Sequence, residues 1–193
     1  NVAQLSTTNT FTATNRFNGV VIATNVNNQF TGAFTGNGGG LTNTVTAANY
    51  VYSFDTTSQA VIAANLFQAV IFSTNSITNG WSYVAGSSGS FTASQAGLYL
   101  VTYSAEAQAT SVPATVTLHV LLGGVEFPGS QSVTTLSTAS SPVTISKSFL
   151  VNVGASGTLK MELTGSSTTV SLVTGAGSGT TKPSIAITIV RIQ

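Results

Sequence analysis

The chain lacks cysteine altogether and carries very little charge. Without cysteine it can form no disulfide framework, no thiolate nucleophile and no cysteine-based metal site. Charged residues make up only 5% of its 193 residues, and the formal net charge is +1. A chain this close to neutral has no basic surface to attract nucleic acid or an anionic membrane. We therefore predict partners of neither kind.

Long hydrophobic runs and strong helix formers are also scarce. The longest apolar runs, residues 60–64 and 69–72, are too short to cross a bilayer, so no membrane insertion is expected. Hydrophobic residues nevertheless make up 42% of the chain, enough for a sizeable core. Disorder is disfavoured because disordered chains combine low hydrophobicity with high net charge. Val, Ile and Thr dominate, with Gly, Asn and Ser between them, and this composition predicts an all-β chain.

Residues 1–49 use a repetitive vocabulary of Asn-x-Phe-x-Gly and Phe-Thr-Gly, as at Phe17, Phe30 and Phe34. One Phe every few polar residues cannot close a core in one chain, whereas three chains around an axis can bury these rings. The phrase Phe-Thr-Gly-Asn-Gly-Gly-Gly-Leu-Thr-Asn at 34–43 resembles stem repeats of trimeric phage tail fibres and bacterial surface fibres. The resemblance implies a trimeric fibre stem over 1–49. The alternative is a flexible Gly/Asn-rich linker.

The first residue is Asn1, and no signal-peptide pattern opens the chain. We therefore expect the chain to be the C-terminal part of a longer protein. Residues 50–193 show short apolar strands with turns between them, the pattern of a sandwich. The predicted strands are 51–54, 67–72, 89–92, 97–105, 115–122, 143–153, 157–164, 168–173 and 184–192.

The predicted strands fall into two kinds. Residues 115–120 and 157–164 alternate between apolar and polar, as strands with one wet face do. Residues 69–72, 97–103 and 185–190 are apolar on both faces. A two-sheet single chain cannot bury the second face of three such strands. The pattern therefore predicts that one sheet is covered by a neighbouring subunit.

The stretch from Phe72 to Tyr103 resembles the globular head of complement and tumour-necrosis-factor-like proteins. The matching positions are Phe72, Asn79, Trp81 or Tyr83, Phe91, and Gly-Leu-Tyr-Leu-Val-Thr-Tyr at 97–103. The resemblance implies a ten-stranded jelly roll over 50–193, assembled as a tight homotrimer. The trimer interface is predicted at Phe72, Tyr99, Val101, Tyr103, Lys160, Glu162, Ile187 and Ile189.

The sequence departs from that family at some points. Val101 stands where the family has an aromatic residue, and no acidic cluster marks a calcium site. The head also resembles the tip domains of spore-surface collagen-like glycoproteins and phage fibres. The collagen version is disfavoured because the first 49 residues lack Gly-x-y repeats.

Catalytic signals are weak. His119 is the only histidine, and a Ser-His-Asp site would need it beside Asp55 or one of the glutamates Glu106, Glu126 and Glu162. No Gly-x-Ser-x-Gly elbow exists. The scattered carboxylates do not predict a glycosidase pair. We predict a non-enzymatic chain with no cofactor and no metal site.

Trp81 and Tyr83 follow the Asn-Gly turn at 79–80 and are the predicted ligand-binding residues, because exposed aromatics stack on sugar rings. The alternative is that they seal the edge of the sandwich. The predicted function is a non-catalytic, extracellular, homotrimeric fibre tip on a cell surface or a virion. It would bind a cell-surface glycan or protein receptor through three equal sites. The alternatives are a structural cap that trimerises a surface or spore-coat fibre without a ligand, or a glycan hydrolase.

Overall fold

The computed structural model describes residues 49–175 and 182–192, and every regular element within these two ranges is a β-strand. The stem predicted over residues 1–49 lies outside the described residues, apart from Asn49. The strands are β1 Tyr50–Asp55, β2 Gln59–Ala60, β3 Gln68–Ala69, β4 Thr74–Asn79, β5 Trp81–Ser82, β6 Phe91–Ala93, β7 Gly97–Ala109, β8 Ala114–Leu122, β9 Val125–Glu126, β10 Ser132–Leu136, β11 Val143–Val153, β12 Thr158–Gly165, β13 Val170–Leu172 and β14 Ile185–Arg191.

Two antiparallel sheets form a sandwich. The first sheet has the order β2-β13-β7-β14-β1-β4, with β11 on the other side of β7. The second has the order β10-β8-β12-β6-β5, with β3 beside β12 and β9 beside β8. Four of the described strands, β2, β3, β5 and β9, have only two residues, which leaves ten longer ones. None of the described residues belongs to a helix that is long and apolar enough to cross a membrane.

The core lies between the two sheets and is built by strict alternation along the strands. Tyr99, Val101 and Tyr103 of β7 point inward from the first sheet, and Leu118 and Leu163 meet them from the second. The alternation predicted at 115–120 and 157–164 is confirmed, since the apolar member of each pair is buried and the intervening residues are not part of the core. Burying such side chains stabilises the fold by about 1.5–3 kcal/mol each.

Two glutamine side chains join the β2 and β3 segments. The Gln59 amide donates to the Ile71 carbonyl at 2.8 Å and accepts from the Ile71 N–H at 2.9 Å. Gln68 makes the reciprocal pair, accepting from the Ile62 N–H at 2.7 Å and donating to the Ala60 carbonyl at 2.9 Å. This glutamine clasp, formed by Gln59 and Gln68, replaces the backbone ladder between the two segments. It fixes the segment that precedes β3 against the second sheet.

The strand predicted at 67–72 is wrong over most of its length, because only Gln68–Ala69 pair as a strand. Beyond them, Ile71 bonds to the Gln59 side chain, and the Phe72 N–H donates to the Tyr83 hydroxyl at 3.1 Å. Five strands were not predicted: β2, β4, β5, β9 and β10. Two of them, Thr74–Asn79 and Ser132–Leu136, are rich in polar residues and leave little apolar signal to read.

Candidate interaction surfaces

The outward face of the first sheet carries a continuous apolar row. Tyr50 pairs with Val190, Val190 with Leu100, and Leu100 with Leu150, so these four residues lie side by side across four strands. Leu100 is 38% exposed and Leu150 is 52% exposed, whereas the solvated face of an antiparallel sheet is usually polar. Water therefore meets a row of apolar side chains on this face.

The next row on the same face mixes large apolar and small polar side chains. It runs in register through Ile77, Tyr52, Thr188, Thr102 and Ser148. Tyr52 lies 5.7 Å, centroid to centroid, from Phe54, which belongs to the third row. A cavity of about 290 Å³ opens beyond this point, lined in part by Tyr52, Glu106 and Lys182. This face is thus apolar in the row that contains Leu100, and its opposite end lies near the Glu106 carboxylate and the Lys182 ammonium group.

The residues predicted at the trimer interface lie elsewhere. Six of them fill the core of the single chain, at 1% exposure or less. For the five that lie on β7 and β14, neighbours in sequence take their place on the outward face. Because side chains alternate across a strand, a strand that is apolar on both faces does not reveal which set points inward. The prediction chose the inward set: Phe72, Tyr99, Val101, Tyr103, Ile187 and Ile189.

Trp81 and Tyr83 are not an exposed aromatic platform. Trp81 is buried and packs edge-on against Tyr99 at 5.0 Å. Tyr83 stacks on Phe91 at 4.3 Å, and its hydroxyl donates to the Ser87 carbonyl at 2.6 Å. Both rings seal the edge of the sandwich, which is the alternative that the sequence left open. The ligand-binding prediction for these two residues is therefore corrected.

Lys160 and Glu162 lie in the second sheet, not in the first as the sequence suggested, and they flank the chain's only histidine. The Lys160 ammonium is 3.1 Å from Oε1 of Glu162, and Nε2 of His119 is 3.2 Å from Oε2 of the same carboxylate. On the other side of the ring, Nδ1 is 3.5 Å from Oε2 of Glu126. Glu126 reaches this position because the Gly-Gly turn at 123–124 folds β9 back onto β8.

Phe67 covers this charged group. Its ring stacks on the His119 imidazole with the centroids 4.0 Å apart and the planes 7° from parallel. His119 is therefore only 3% exposed, although it belongs to the polar, outward face of β8 as predicted. We call Phe67, His119, Glu126, Lys160 and Glu162 the imidazole patch. No pattern in the sequence indicated that Phe67 would reach it, because residues 67–72 were predicted to form a strand.

The electrostatics of the imidazole patch keep Glu162 ionised. Partial burial disfavours the charged carboxylate, but hydrogen bonds from His119 and Lys160 and their positive charges outweigh it. Together they hold the pKa of Glu162 below its ordinary value of 4.5. An ionised carboxylate accepts hydrogen bonds, so Nε2 of His119 donates to Oε2 of Glu162 at 3.2 Å. Nδ1 of the same ring has no hydrogen-bond partner among the described residues.

This arrangement does not match the hydrolytic sites considered in the sequence. Both ring nitrogens of His119 face carboxylates, whereas a Ser-His-Asp site needs a serine hydroxyl on one of them. The lowered pKa of Glu162 is the opposite of what the general acid of a glycosidase needs. Among the residues that the structure describes, no group of three or more His, Cys, Asp or Glu side chains is arranged to hold a metal ion.

The two-sheet topology and the contrast between its faces define a jelly-roll head of the tumour-necrosis-factor-like type, as predicted. The model of the BclA C-terminal domain matches residues 52–193. The chain therefore belongs to the BclA C-terminal domain family.

Solved structures and curated proteins add little to this assignment. Among the solved structures that match is murine APRIL at pH 5.0, with a TM-score of 0.49 and 4% sequence identity. The match covers 75% of this chain and 99% of that one. A likeness of this size says nothing about function. No curated protein matches the chain.

Proposed function

We propose that residues 50–193 form the non-catalytic head of a homotrimeric surface fibre, and that this head attaches the fibre to a glycan or protein on a cell surface. The observation that carries the proposal is the row of Tyr50, Val190, Leu100 and Leu150 on the outward face of the first sheet. A second copy of the chain is the occupant that we assign to this face. Membership of the BclA C-terminal domain family supports a surface fibre.

The two outward faces of the sandwich differ in a way that selects the interface. The second sheet presents Thr117 and the charged imidazole patch, with separate exposed apolar residues such as Val133 rather than a continuous apolar row. The first sheet presents tyrosine, leucine and valine in register. Burying apolar surface favours association. The first sheet therefore faces the partner chains, and the second sheet faces outward.

This geometry supports an attachment role. Three copies around one axis present three equal outer surfaces, and simultaneous contacts raise avidity far beyond that of one weak site. The head needs no catalytic group for this role. The proposed location is extracellular, at the tip of a fibre.

The oligomeric state tests the interface. The substitution Leu100→Glu places a charge in the centre of the apolar row, and we expect it to convert the trimer into single chains. Val133→Glu is the matched control, since Val133 is a 57%-exposed strand residue of the second sheet. Light scattering coupled to size-exclusion chromatography measures both. A single-chain wild type, or equal behaviour of the two variants, would show that this face is not the interface.

Attachment is tested separately with intact cells and a glycan array. The wild-type trimer is expected to bind at concentrations at which the Leu100→Glu single chain does not, because only the trimer is multivalent. If the wild-type trimer assembles but binds neither cells nor glycans, the attachment role is wrong. Loss of fibre assembly on deleting residues 50–193 would then indicate a trimerising cap without a ligand.

A further inference from the structure

We propose that the imidazole patch is a carbohydrate-binding site, with the exposed face of the Phe67 ring as the platform for a neutral pyranose sugar. The proposal deepens the attachment function and rests on it. It replaces the pair Trp81 and Tyr83 as the aromatic site of the head.

Charge is concentrated at this patch in a chain that has almost none. The chain has five Lys and Arg and four Asp and Glu, nine charged residues in all. Three of these nine, Glu126, Lys160 and Glu162, meet at the only histidine. Ion pairs contribute little net stability whether exposed or buried, because the cost of removing the charges from water offsets their attraction. Fold stability alone is therefore a poor reason to gather them here.

The Phe67 ring is held flat and in a fixed orientation. One of its faces stacks on His119, at 7° from parallel, which leaves the opposite face directed away from the sheet. The residue is 38% exposed. The neighbouring Gln68 fixes the chain direction through its clasp hydrogen bonds and through the pairing of β3 with β12. A ring ordered before binding loses little entropy when a ligand stacks on it.

The polar groups beside the ring suit a ligand with hydroxyl groups. Glu126, at 48% side-chain exposure, offers carboxylate acceptors to solvent. Lys160 is also partly exposed, and its ammonium has N–H groups beyond the one directed at Glu162. A hydroxyl both donates and accepts, so it can use both kinds of partner. A strongly anionic ligand would face two carboxylates, and a cationic ligand would face Lys160. The mixture of signs thus favours a neutral sugar.

The position of the patch fits the proposed assembly. It lies on the outward face of the second sheet, opposite the face assigned to the trimer interface. Each trimer then presents three patches to the outside. A flat site with one aromatic ring binds a single sugar weakly, and three copies compensate through avidity.

The experiment compares the intact trimer with variants on a glycan array, followed by titration of the best neutral glycan. Phe67→Leu keeps an apolar cover over His119 but removes the flat ring, and we expect at least tenfold weaker binding. Phe67→Trp keeps a flat ring and should retain binding. Leu66→Ala is the control, because Leu66 is an exposed apolar neighbour outside the patch. Light scattering confirms that each variant is a trimer.

Glu126→Ala supplies a second variant that does not depend on the ring. Glu126 is half exposed on a hairpin, so the fold should tolerate the change, and several-fold weaker binding is expected. Equal binding by wild type, Phe67→Leu and Glu126→Ala would overturn the site but leave attachment standing. Cell binding that survives enzymatic removal of surface glycans would also overturn the site, in favour of a protein receptor. A wild-type trimer that binds nothing would overturn attachment itself.

Discussion

At the scale of single residues, Tyr103 shows how burial changes the chemistry of a side chain. Its ring is fully buried between the sheets, and its hydroxyl donates to the Ser130 carbonyl at 2.8 Å. Burial disfavours the charged phenolate and raises the pKa of Tyr103 to about 12, from an ordinary value of 10.0. The folded head therefore holds this proton more tightly than the unfolded chain does.

This difference predicts a loss of stability in alkali. Between pH 10 and 12 the unfolded chain releases the Tyr103 proton while the folded head retains it, so the free energy of unfolding falls as the pH rises. The contribution of the Tyr103 proton to the free energy of unfolding is fully present below pH 10. A pKa shift of about two units corresponds to a contribution of about 3 kcal/mol at most. Tyr103→Phe removes the hydrogen bond to Ser130, so its free energy of unfolding at pH 8 should be about 1 kcal/mol lower than that of the wild type.

Urea unfolding at pH 8, 10 and 12, at fixed protein concentration, measures both effects. The curve of Tyr103→Phe should fall less steeply above pH 10 than that of the wild type. Parallel curves for the two proteins would contradict the assignment, because the other tyrosines are common to both.

His119 marks the limit of residue-level prediction. Its place on the polar face of β8 follows from the alternation of 115–120 and is confirmed. Its burial comes from Phe67, which is 52 positions away in sequence, and from Glu126, which arrives through the turn at 123–124. Contacts of this kind depend on how distant segments cross, and no local pattern encodes them.

At the scale of elements, the turn between β4 and β5 depends on Gly80. Its φ is +70°, a conformation that costs other L-residues about 1–2 kcal/mol. A Cβ at this position would also overlap the side chain of Asn49, which is buried and lies 3.5 Å from the Tyr99 hydroxyl. Gly86 has nearly the same φ, +73°, but a Cβ there would meet open space.

The two glycines therefore form a matched pair. Gly86→Ala should lower the free energy of unfolding only by the cost of the left-handed backbone conformation, about 1–2 kcal/mol. Gly80→Ala should lower it by that cost and by roughly 1–3 kcal/mol more, because the buried Asn49 has to move. Thermal and urea unfolding of both variants measures the difference. Equal losses would mean that Asn49 moves aside without cost.

Other elements show what the sequence can and cannot predict. The bounds predicted for β11, residues 143–153, are confirmed, and the predictions for β8, β12 and β14 hold to within two residues at each end. These strands have long apolar or alternating patterns. By contrast, β4 and β10 are polar enough to read as loops. Residues 67–72 were predicted to form a strand because most of them are apolar. In the structure the Gln59 side chain, rather than a neighbouring strand, bonds to the N–H and carbonyl groups of Ile71.

At the scale of the whole molecule, one outward face of the sandwich carries a continuous apolar row, and the other carries a charged patch with separate apolar residues. The sequence predicted that strands 97–103 and 185–190 have more apolar surface than one chain can bury. In the structure they lie side by side as β7 and β14, with Tyr99 and Ile189 inward and Leu100 and Val190 outward. The need for a partner chain stays a prediction from the sequence. The choice of face required the fold.

The same face predicts that the stability of the head depends on its concentration. If folding and trimer formation are coupled, mass action favours the folded trimer as the protein concentration rises. A tenfold increase is expected to raise the Tm of the wild type and of Val133→Glu by about 2–4 °C. Leu100→Glu should melt at a lower temperature that does not change with concentration, because it unfolds as a single chain. Calorimetry of the three proteins over a hundredfold range of concentration makes the comparison. The decisive range is the protein concentrations near which light scattering shows the trimer dissociating. If the wild-type Tm does not change with concentration there, association through Tyr50, Val190, Leu100 and Leu150 does not stabilise the fold.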